Sequence, residues 1–171
     1  MPELRRAAEP DLPSIGALAR WVWCDRYVEE GLTPAVARYL DEHFAPAVLG
    51  AHLAQQPHWV AKSDDGALIG WVQLDAGSAG PDLPAGAVEL QRLYVLPTQQ
   101  RRGLGRRLLR QARGQWPARP LWLSVWEGNG DALRFYRREG GEVWGETWFE
   151  LDGQRHRNLV LGWPPLEARR T

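Results

Sequence analysis

The spacing of apolar and polar residues predicts a chain of short strands alternating with amphipathic helices. Apolar runs bounded by turn residues predict strands, and apolar residues recurring every three or four positions predict helices. The predicted strands are Glu3–Ala7, His58–Lys62, Leu68–Leu74, Ala87–Val95, a run from Leu121, Glu142–Leu151 and His156–Trp163. A first helix is expected to open around Asp11, whose side chain would cap it, and to run through Val28.

A second helical stretch is predicted to begin at Thr33-Pro34 and to break at Pro46, because proline lacks the N–H that a helix interior needs. The turn at 63–66 should join the next two strands into a hairpin. A glycine- and proline-bearing loop, Asp75–Gly86, then leads into the strand Ala87–Val95. After this strand, the predicted order continues with a helix, a strand, a second helix and a closing pair of strands.

Length and charge favour a single domain over residues 1–171, with no general attraction to polyanions. Lys+Arg and Asp+Glu are both 21, so neither nucleic acid nor a membrane surface is expected as a partner. No apolar run approaches the roughly 20 residues of a membrane span, and the N-terminus lacks the apolar core of a signal peptide. The lone cysteine, Cys24, excludes an internal disulfide framework, and the expected location is the cytoplasm.

No metal site is expected from the sequence. The four histidines, His43, His52, His58 and His156, show no metal-ligand spacing with one another or with Cys24.

The segment from Val88 to Leu109 predicts a phosphate site. After an apolar strand and a proline, the loop reads Gln-Arg-Arg-Gly-Leu-Gly over residues 100–105 and opens an arginine-rich helix. Small glycines at a helix start let an anion approach backbone N–H groups that have no partner inside the helix. A dinucleotide fingerprint would need glycine at Leu108, and a Walker loop would need Lys-Ser or Lys-Thr where Arg106-Arg107 stand, so both fail.

This loop resembles the acetyl-CoA signature of the GNAT N-acetyltransferase superfamily, Gln/Arg-x-x-Gly-x-Gly/Ala, which follows a Leu-Tyr-Val-like triplet and a proline. A glycine pair alone is usually only a turn or a cap. A second block makes the resemblance specific, because it is similar to the family pattern Asn-x-x-Ala-x-x-Phe-Tyr-x-x-x-Gly. Its residues here are Asn129, Ala132, Phe135, Tyr136 and Gly140. The family usually has an aromatic residue next, where this chain has Gly141, a departure that concerns packing at the helix end.

The resemblance implies an α/β (α+β) fold, with a mixed, mostly antiparallel sheet of six to seven strands flanked by about four helices. It also implies acetyl-CoA as the cofactor, with CoA as product. Backbone amides of the loop would receive the pyrophosphate, and the edge of Tyr94-Val95 would pair with the pantetheine arm. The implied cofactor-binding residues are Leu93, Tyr94, Val95, Gln100, Arg101, Arg102, Gly103, Leu104, Gly105, Arg106, Asn129, Ala132 and Phe135.

Two further residues are implied to act on protons. Glu89 is the candidate base that takes a proton from the acceptor amine, often through a water, and Gln91 is a candidate for orienting that water or the acceptor. Tyr136 is the candidate acid for the departing thiolate. The structural alternatives are a sheet-edge glutamate paired with an arginine, a tyrosine packed in the core, and arginines that only form a solvated helix face.

The acceptor is less readable. Trp23, Tyr27 and Glu30 could form a pocket for a cationic amine, since aromatic rings beside acids attract cations; the alternative is a core helix with solvated acids. The closing strand pair could shape this pocket or a homodimer contact. The function implied is an acetyl-CoA-dependent N-acetyltransferase acting on a primary amine of a small molecule or peptide, by direct attack in a ternary complex. The alternatives are a non-catalytic acyl-CoA-binding module and, less compatible with the loop, a nucleotide-binding protein.

Overall fold

The computed structural model describes residues 1–78, 80, 82–151 and 153–166. Internal contacts divide the chain into two units, which are described one after the other. The first comprises Met1–Gln73 with Arg92–Leu109, and the second comprises Leu74–Gln91 with Arg110–Thr171. A single domain over residues 1–171 stays a prediction.

One sheet contains every strand of the described chain. The strands are β1 Glu3–Arg6, β2 His58–Lys62, β3 Leu68–Asp75, β4 Val88–Val95, β5 Leu121–Trp126, β6 Glu142–Leu151 and β7 Gln154–Trp163. The helices are α1 Leu12–Tyr27, α2 Pro34–Phe44, α3 Pro46–Gln55, α4 Leu104–Gln115 and α5 Gly130–Arg138. The sheet order is β1-β2-β3-β4-β5-β7-β6. β4 and β5 run parallel, whereas β1–β2, β2–β3, β5–β7 and β6–β7 are antiparallel. The predicted mixed, mostly antiparallel sheet is therefore confirmed.

In the first unit, a buried carboxylate joins β1, β2 and the start of α1. Asp11 is 4% exposed; it accepts hydrogen bonds from Arg5 at 2.8 and 2.9 Å and lies 3.1 Å from Lys62 Nζ. Its Oδ2 also accepts the N–H of Ala8, inside the 3-10 turn that precedes α1. The hydrogen bond from Arg5, ahead of the other contacts, holds the pKa of Asp11 well below its usual value. The predicted side-chain cap of α1 is wrong, because this carboxylate faces its cationic partners instead.

The paired helices of the first unit follow the sequence prediction. Thr33 Oγ1 accepts the N–H of Val36 at 3.2 Å and caps α2, as its position before Pro34 indicates. α2 ends at Phe44, and Pro46 begins α3, since proline is tolerated in a first helical turn but not in an interior. The largest fully buried apolar side chains of this unit are Ile15, Phe44, Leu49, Val60, Trp71, Val72 and Leu108.

In the second unit, a buried tryptophan determines the packing after α5. The Trp163 indole is fully buried; its Nε1 donates to the carbonyl of Glu139 at 3.0 Å, and its ring lies edge-on to Tyr136 at 5.9 Å. A Cβ at Gly141 would lie 2.8 Å from this indole and 3.0 Å from the carbonyl oxygen of Tyr136. Trp163 thus occupies the space at the helix end, which accounts for glycine where the sequence pattern usually has an aromatic residue.

A histidine of the first unit is buried without charge. His58 is 1% exposed, and its Nδ1 accepts the indole N–H of Trp71 at 3.1 Å, so the ring proton is on Nε2. Nε2 has no hydrogen-bond partner among the described residues. Burial, with smaller effects of His52 and Arg6, lowers the pKa of His58 to about 4. The folded protein therefore holds this ring neutral at pH values where an unfolded chain would charge it.

Acidification should destabilise the fold through His58. Between pH 6.5 and 4 the unfolded chain binds a proton at this ring and the folded chain does not. The free energy of unfolding is therefore undiminished above pH 6.5 and falls as the pH drops below that value. We expect the free energy of unfolding to lose about 2 kcal/mol from this group between pH 7 and pH 5. Urea denaturation of the wild type and His58→Gln at both pH values measures the difference. Equal losses in the two proteins would assign the effect to other groups.

Candidate active site

The reversal from β4 into α4 gives a helix start that can receive an anion. A 3-10 turn, Pro97–Gln99, follows β4, and then Arg101 and Gly103 adopt positive φ angles of 61° and 82°. The carbonyl of Gly103 accepts the N–H of Arg107 at 3.1 Å, which is the first helical hydrogen bond of α4. The amides at 104–106 therefore belong to the first turn, where N–H groups have no carbonyl partner inside the helix.

Glycine is required at position 103 by its backbone, and the space beside it is open. A φ of 82° is one that side chains with a Cβ rarely adopt. A Cβ built on Gly103 would meet no described heavy atom within 4 Å. A ligand can consequently approach the backbone here more closely than at an ordinary residue.

α4 is held by its apolar stripe. Leu104 and Leu108 are buried at 4% and 0% exposure, and both approach Gly70 of β3, where an added Cβ would lie 3.0 Å from Leu108 Cδ1. This close contact holds the first turn of α4 in the first unit. The predicted buried stripe of α4 is confirmed at these positions, with Leu109 at 2% and Ala112 at 2%.

The loop's polar side chains differ in their surroundings. The side chains of Arg101, Arg102 and Arg106 are exposed. Arg102 reaches Gln99 Oε1 at 3.5 Å, and Gln100 Nε2 donates to the carbonyl of Val95 at 3.2 Å, which closes the turn onto the end of β4. Among the other arginines of α4, Arg107 donates to the carbonyl of Pro2 at 2.9 Å. These contacts stabilise the loop, and the exposed guanidiniums surround the helix start with positive charge.

The triplet at the end of β4 combines buried and half-buried side chains. Leu93 is half-buried, and Val95 is 8% exposed. Tyr94 lies edge-on to Phe44 at 6.3 Å and to Trp71 at 5.7 Å. Desolvation of its phenol raises the pKa of Tyr94 above the ordinary value. The side chain of Tyr94 is thus part of an aromatic cluster, and its backbone remains the candidate contact for pantetheine.

In the second unit, Glu89 lies where two parallel strands stop pairing. The described register joins Val88 to Leu121 and Glu89 to Trp122, and β4 and β5 both continue past it. Glu89 is half-buried between the buried residues Val88 and Leu90. Strand edges without a neighbouring strand expose N–H and C=O groups that an extended ligand can pair with.

A carboxylate that sequence reasoning missed lies beside Gln91. Gln91 Nε2 donates to Asp75 Oδ2 at 3.2 Å, and Oδ1 of the same aspartate accepts the N–H of Gly77 at 2.8 Å. Asp75 is the last residue of β3, so the sequence shows only a polar residue at the end of an apolar run. Its proximity to Gln91 is a tertiary contact between residues 16 positions apart.

The second sequence block forms the cap and the first turns of α5. Asn129 Oδ1 accepts the N–H of Ala132 at 3.2 Å, which confirms Asn129 as the cap of α5. Phe135 is half-buried and lies 5.1 Å from Tyr136, centroid to centroid. Tyr136 is 9% exposed and packs against Trp163. The structure therefore brings Asn129, Ala132, Phe135 and Tyr136 together on one helix.

The candidate acceptor residues of the first unit differ in their burial. Trp23 is 4% exposed and stacks on Tyr39 at 4.7 Å, while Tyr27 is half-buried and lies 4.9 Å from Trp23. Glu30 is exposed in the segment after α1. The structure thus brings Trp23 and Tyr27 together, and Glu30 lies in the exposed segment that follows.

Neither a metal cluster nor a membrane-spanning helix is found among residues 1–78, 80, 82–151 and 153–166. In this part of the chain no three His, Cys, Asp or Glu side chains converge as metal ligands. None of its helices has the length and apolar character that crossing a bilayer requires.

Two bacterial N-acetyltransferases are similar to most of this chain in sequence. A protein of Lactobacillus delbrueckii subsp. lactis, an uncharacterised N-acetyltransferase encoded in the pepI 3' region, is 28% identical over 161 residues, which are 91% of this chain and 93% of its own. The peptidyl-lysine N-acetyltransferase YiaC of Escherichia coli K12 is 28% identical over 123 residues, covering 72% of this chain and 74% of its own.

Solved structures share the fold. The PaiA N-acetyltransferase of Thermoplasma acidophilum, crystallised with coenzyme A, matches with a TM-score of 0.73 at 21% identity and covers 95% of this chain and 99% of its own. YncA of Salmonella typhimurium, an acetyltransferase structure with acetyl-CoA, matches with a TM-score of 0.68 at 16% identity, covering 96% and 94%. The model of the acetyltransferase (GNAT) family matches residues 15–141. Since that match includes both sequence blocks, the chain belongs to the acetyltransferase (GNAT) family.

Proposed function

We propose that this protein is an acetyl-CoA-dependent N-acetyltransferase that moves an acetyl group to a primary amine by direct attack in a ternary complex. The observation that carries the proposal is the start of α4, where a glycine with a positive φ exposes first-turn amides beside three exposed arginines. Family membership and the CoA and acetyl-CoA bound in structures of the same fold support acetyl-CoA as the donor.

The residues present fit this cofactor. Acetyl-CoA, when bound, supplies the acetyl group as a thioester and carries phosphates that need compensating charge. The open space at Gly103 and the amides at 104–106 suit a pyrophosphate, and Gln100, Arg101, Arg102 and Arg106 border the same turn. The backbone of 93–95 is proposed to pair with the pantetheine arm. In the second unit, Asn129 is proposed to contact the cofactor through its amide N–H₂ while its Oδ1 caps α5, and Ala132 and Phe135 are proposed to pack against the cofactor.

The acceptor must lose a proton before it can attack, because an alkylammonium has a pKa near 10. We propose that Glu89 accepts this proton, directly or through one water. Glu89 is a half-buried carboxylate at the point where the pairing of β4 with β5 ends. Gln91 is proposed to orient the water or the acceptor. Its hydrogen bond to Asp75 fixes the side-chain amide and adds a second carboxylate to this part of the second unit.

Tyr136 is proposed to act as the general acid that donates a proton to the departing thiolate of CoA. Packing against Trp163 and Phe135 restricts its ring, so Oη is presented by a rigid helix. A thiol has a pKa near 8.5, so the benefit of this acid is modest compared with that of the base.

The acceptor is proposed to be a primary amine of a small molecule or of a peptide. Support for a peptide amine comes from YiaC, whose name describes it as a peptidyl-lysine N-acetyltransferase. The competing function is a module of the same fold that binds acyl-CoA without turnover. Retention of both Glu89 and Tyr136 favours the enzyme.

Cofactor binding should depend on position 103. In a thermal melt, acetyl-CoA and CoA at 100 times their Kd should stabilise the wild type by about 2.7 kcal/mol, which is roughly 5–10 °C for a chain of this size, and ATP should not. Gly103→Glu should abolish the shift, because it adds a side chain and a negative charge beside the first-turn amides. Gly66→Glu is the matched control, since Gly66 has a φ of 85° and equally open surroundings in the β2–β3 turn. An unchanged shift in Gly103→Glu would remove the phosphate site.

Turnover should depend on Glu89. Release of CoA in the presence of a panel of amines and peptides should fall by about 100-fold or more in Glu89→Gln, with loss of the acidic limb of the pH–rate profile. The control is Glu142→Gln, a change at an exposed glutamate of β6. If Glu89→Gln keeps the wild-type profile, the base is elsewhere, and Asp75 is then the first carboxylate to replace.

Replacing Tyr136 with Phe should lower kcat by about 10- to 100-fold with little change in KM, because only a proton donor is lost and the ring still packs against Trp163. Steady-state kinetics above pH 7, accompanied by a melting curve, measures this change. A kcat equal to the wild-type value would leave Tyr136 with a packing role alone.

A further inference from the structure

A hydroxyl interrupts the apolar sequence of β5 in the second unit. The strand reads Leu-Trp-Leu-Ser-Val-Trp over residues 121–126, and Ser124 is its only residue with a hydroxyl. Ser124 is half-buried, whereas Leu123 and Val125 on either side of it are buried. Among the described residues, none forms a hydrogen bond with the Ser124 side chain. The hydroxyl therefore has one donor and two acceptor positions to offer a ligand.

Ser124 lies on the same face of the sheet as Glu89. Paired residues of parallel strands place their side chains on one face, so Glu89 shares a face with its register partner Trp122. Side chains alternate along a strand, and β5 stays paired with β7 over its whole length, which keeps this alternation regular. Ser124 follows Trp122 by two residues and consequently faces the same way as Glu89.

Glu89 and Ser124 are diagonal neighbours across the place where β4 and β5 stop pairing. Strands about 4.8 Å apart with a rise of about 3.3 Å per residue put the Cα atoms of diagonal neighbours about 8 Å apart. The described pairing of β4 with β5 ends at Glu89 and Trp122, so this spacing is a minimum. A small group that forms hydrogen bonds of about 2.9 Å with both side chains fits between them.

An apolar cluster borders Ser124 on that face. Val160, the residue of β7 that pairs with Ser124, is one of its members. The cluster consists of Ala87, Trp122 and Val160, with Leu83 and Trp144 packed against it. Water competes less for a hydrogen bond beside such a cluster, and a polar group left unpaired there is more costly.

We propose that Ser124 accepts a hydrogen bond from the attacking nitrogen of the acceptor and thereby selects primary over secondary amines. The inference rests on the proposed N-acetyltransferase function and adds a specificity-determining residue to it. Glu89 and Ser124 would each bind one N–H of the nitrogen, which leaves its lone pair for the thioester carbonyl. An N-methyl amine has one N–H fewer, so one of the two groups is left unpaired beside a methyl group.

A primary ammonium carries three N–H protons, and acetyl transfer removes two of them. Glu89 takes the first before attack and passes it to water. The nitrogen lone pair then forms the C–N bond, and the C–S bond breaks with its electron pair on sulfur, which takes a proton from Tyr136. The nitrogen loses its second proton to water, from which Tyr136 regains its own. The third proton stays in the product amide and is the one that Ser124 binds.

The test compares amines that differ only by a methyl group on the nitrogen. Benzylamine is presented beside N-methylbenzylamine, tyramine beside N-methyltyramine, and a lysine peptide beside the same peptide with Nε-methyl-lysine. CoA release from acetyl-CoA gives kcat/KM for each, corrected for the protonation of its amine. For every pair with an active member we expect the primary amine to exceed its N-methyl form by about 10-fold or more, the effect of one unmade hydrogen bond.

Two variants assign the preference to Ser124. Ser124→Ala should lower kcat/KM of the primary amine about 3- to 10-fold and that of the N-methyl amine less than about twofold, because only the primary amine loses a bond. Ser124→Thr keeps the hydroxyl and should retain the wild-type ratio. Thr147→Val is the matched control and should behave as the wild type, since it removes a hydroxyl from the same sheet face two strands away, on β6.

A measurement without turnover separates a contact with the amine from an effect on packing. In thermal melts with saturating CoA, the primary amine should raise the melting temperature of the wild type more than its N-methyl form does. Ser124→Ala should remove that difference. The same variant should keep the wild-type shift with CoA alone, because the proposed contact is with the acceptor.

Other outcomes overturn the inference and separate it from the proposed function. Equal use of both amines by the wild type, or an unchanged ratio in Ser124→Ala, would refute the contact and leave the N-acetyltransferase standing. A smaller CoA shift in Ser124→Ala with an unchanged amine preference would assign the hydroxyl to the cofactor instead. Absence of CoA release with every amine would refute the proposed enzyme, and the inference with it.

Discussion

The sharp passage from β4 into α4 is the constraint on which the proposed chemistry depends. A strand must end, turn and open a helix within a few residues, and the turn requires left-handed backbone at Arg101 and Gly103. The left-handed conformation of Arg101 is unfavourable in free energy. Packing of the apolar stripe of α4, whose leucines contact Gly70, offsets that cost. The result is a well-packed helix start whose first amides have no carbonyl partner inside the helix.

In each unit, a buried aromatic ring restricts the side chains that pack against it. In the second unit Trp163 fills the space at the end of α5, restricts Tyr136 and makes glycine necessary at position 141. In the first unit Phe44 supports both Tyr94 and Arg92. Tryptophan is abundant in this chain, ten in all, and Trp163 packs against the candidate residue Tyr136 as well as filling the core.

Charge is distributed locally although the chain is neutral as a whole. Asp11 lies buried in the first unit, where Arg5 and Lys62 compensate its charge. Exposed arginines lie at the start of α4, and the guanidinium of Arg92 lies over the Phe44 ring in the first unit. The proposed cofactor carries phosphates, which suit the positive charge at the start of α4.

The sequence by itself determined the element order, the break at Pro46, the cap at Asn129 and the two blocks that identify the family. These depend on local rules, because proline geometry, capping and the glycine-spaced loop act within a few residues. Only the tertiary structure determined which side chains from distant segments contact one another. Asp11 pairs with Arg5 and Lys62 instead of capping α1. Gln91 donates a hydrogen bond to Asp75. Trp23 stacks on Tyr39, whereas Glu30 is exposed. Such choices depend on contacts between distant segments, whose energies only the folded arrangement defines.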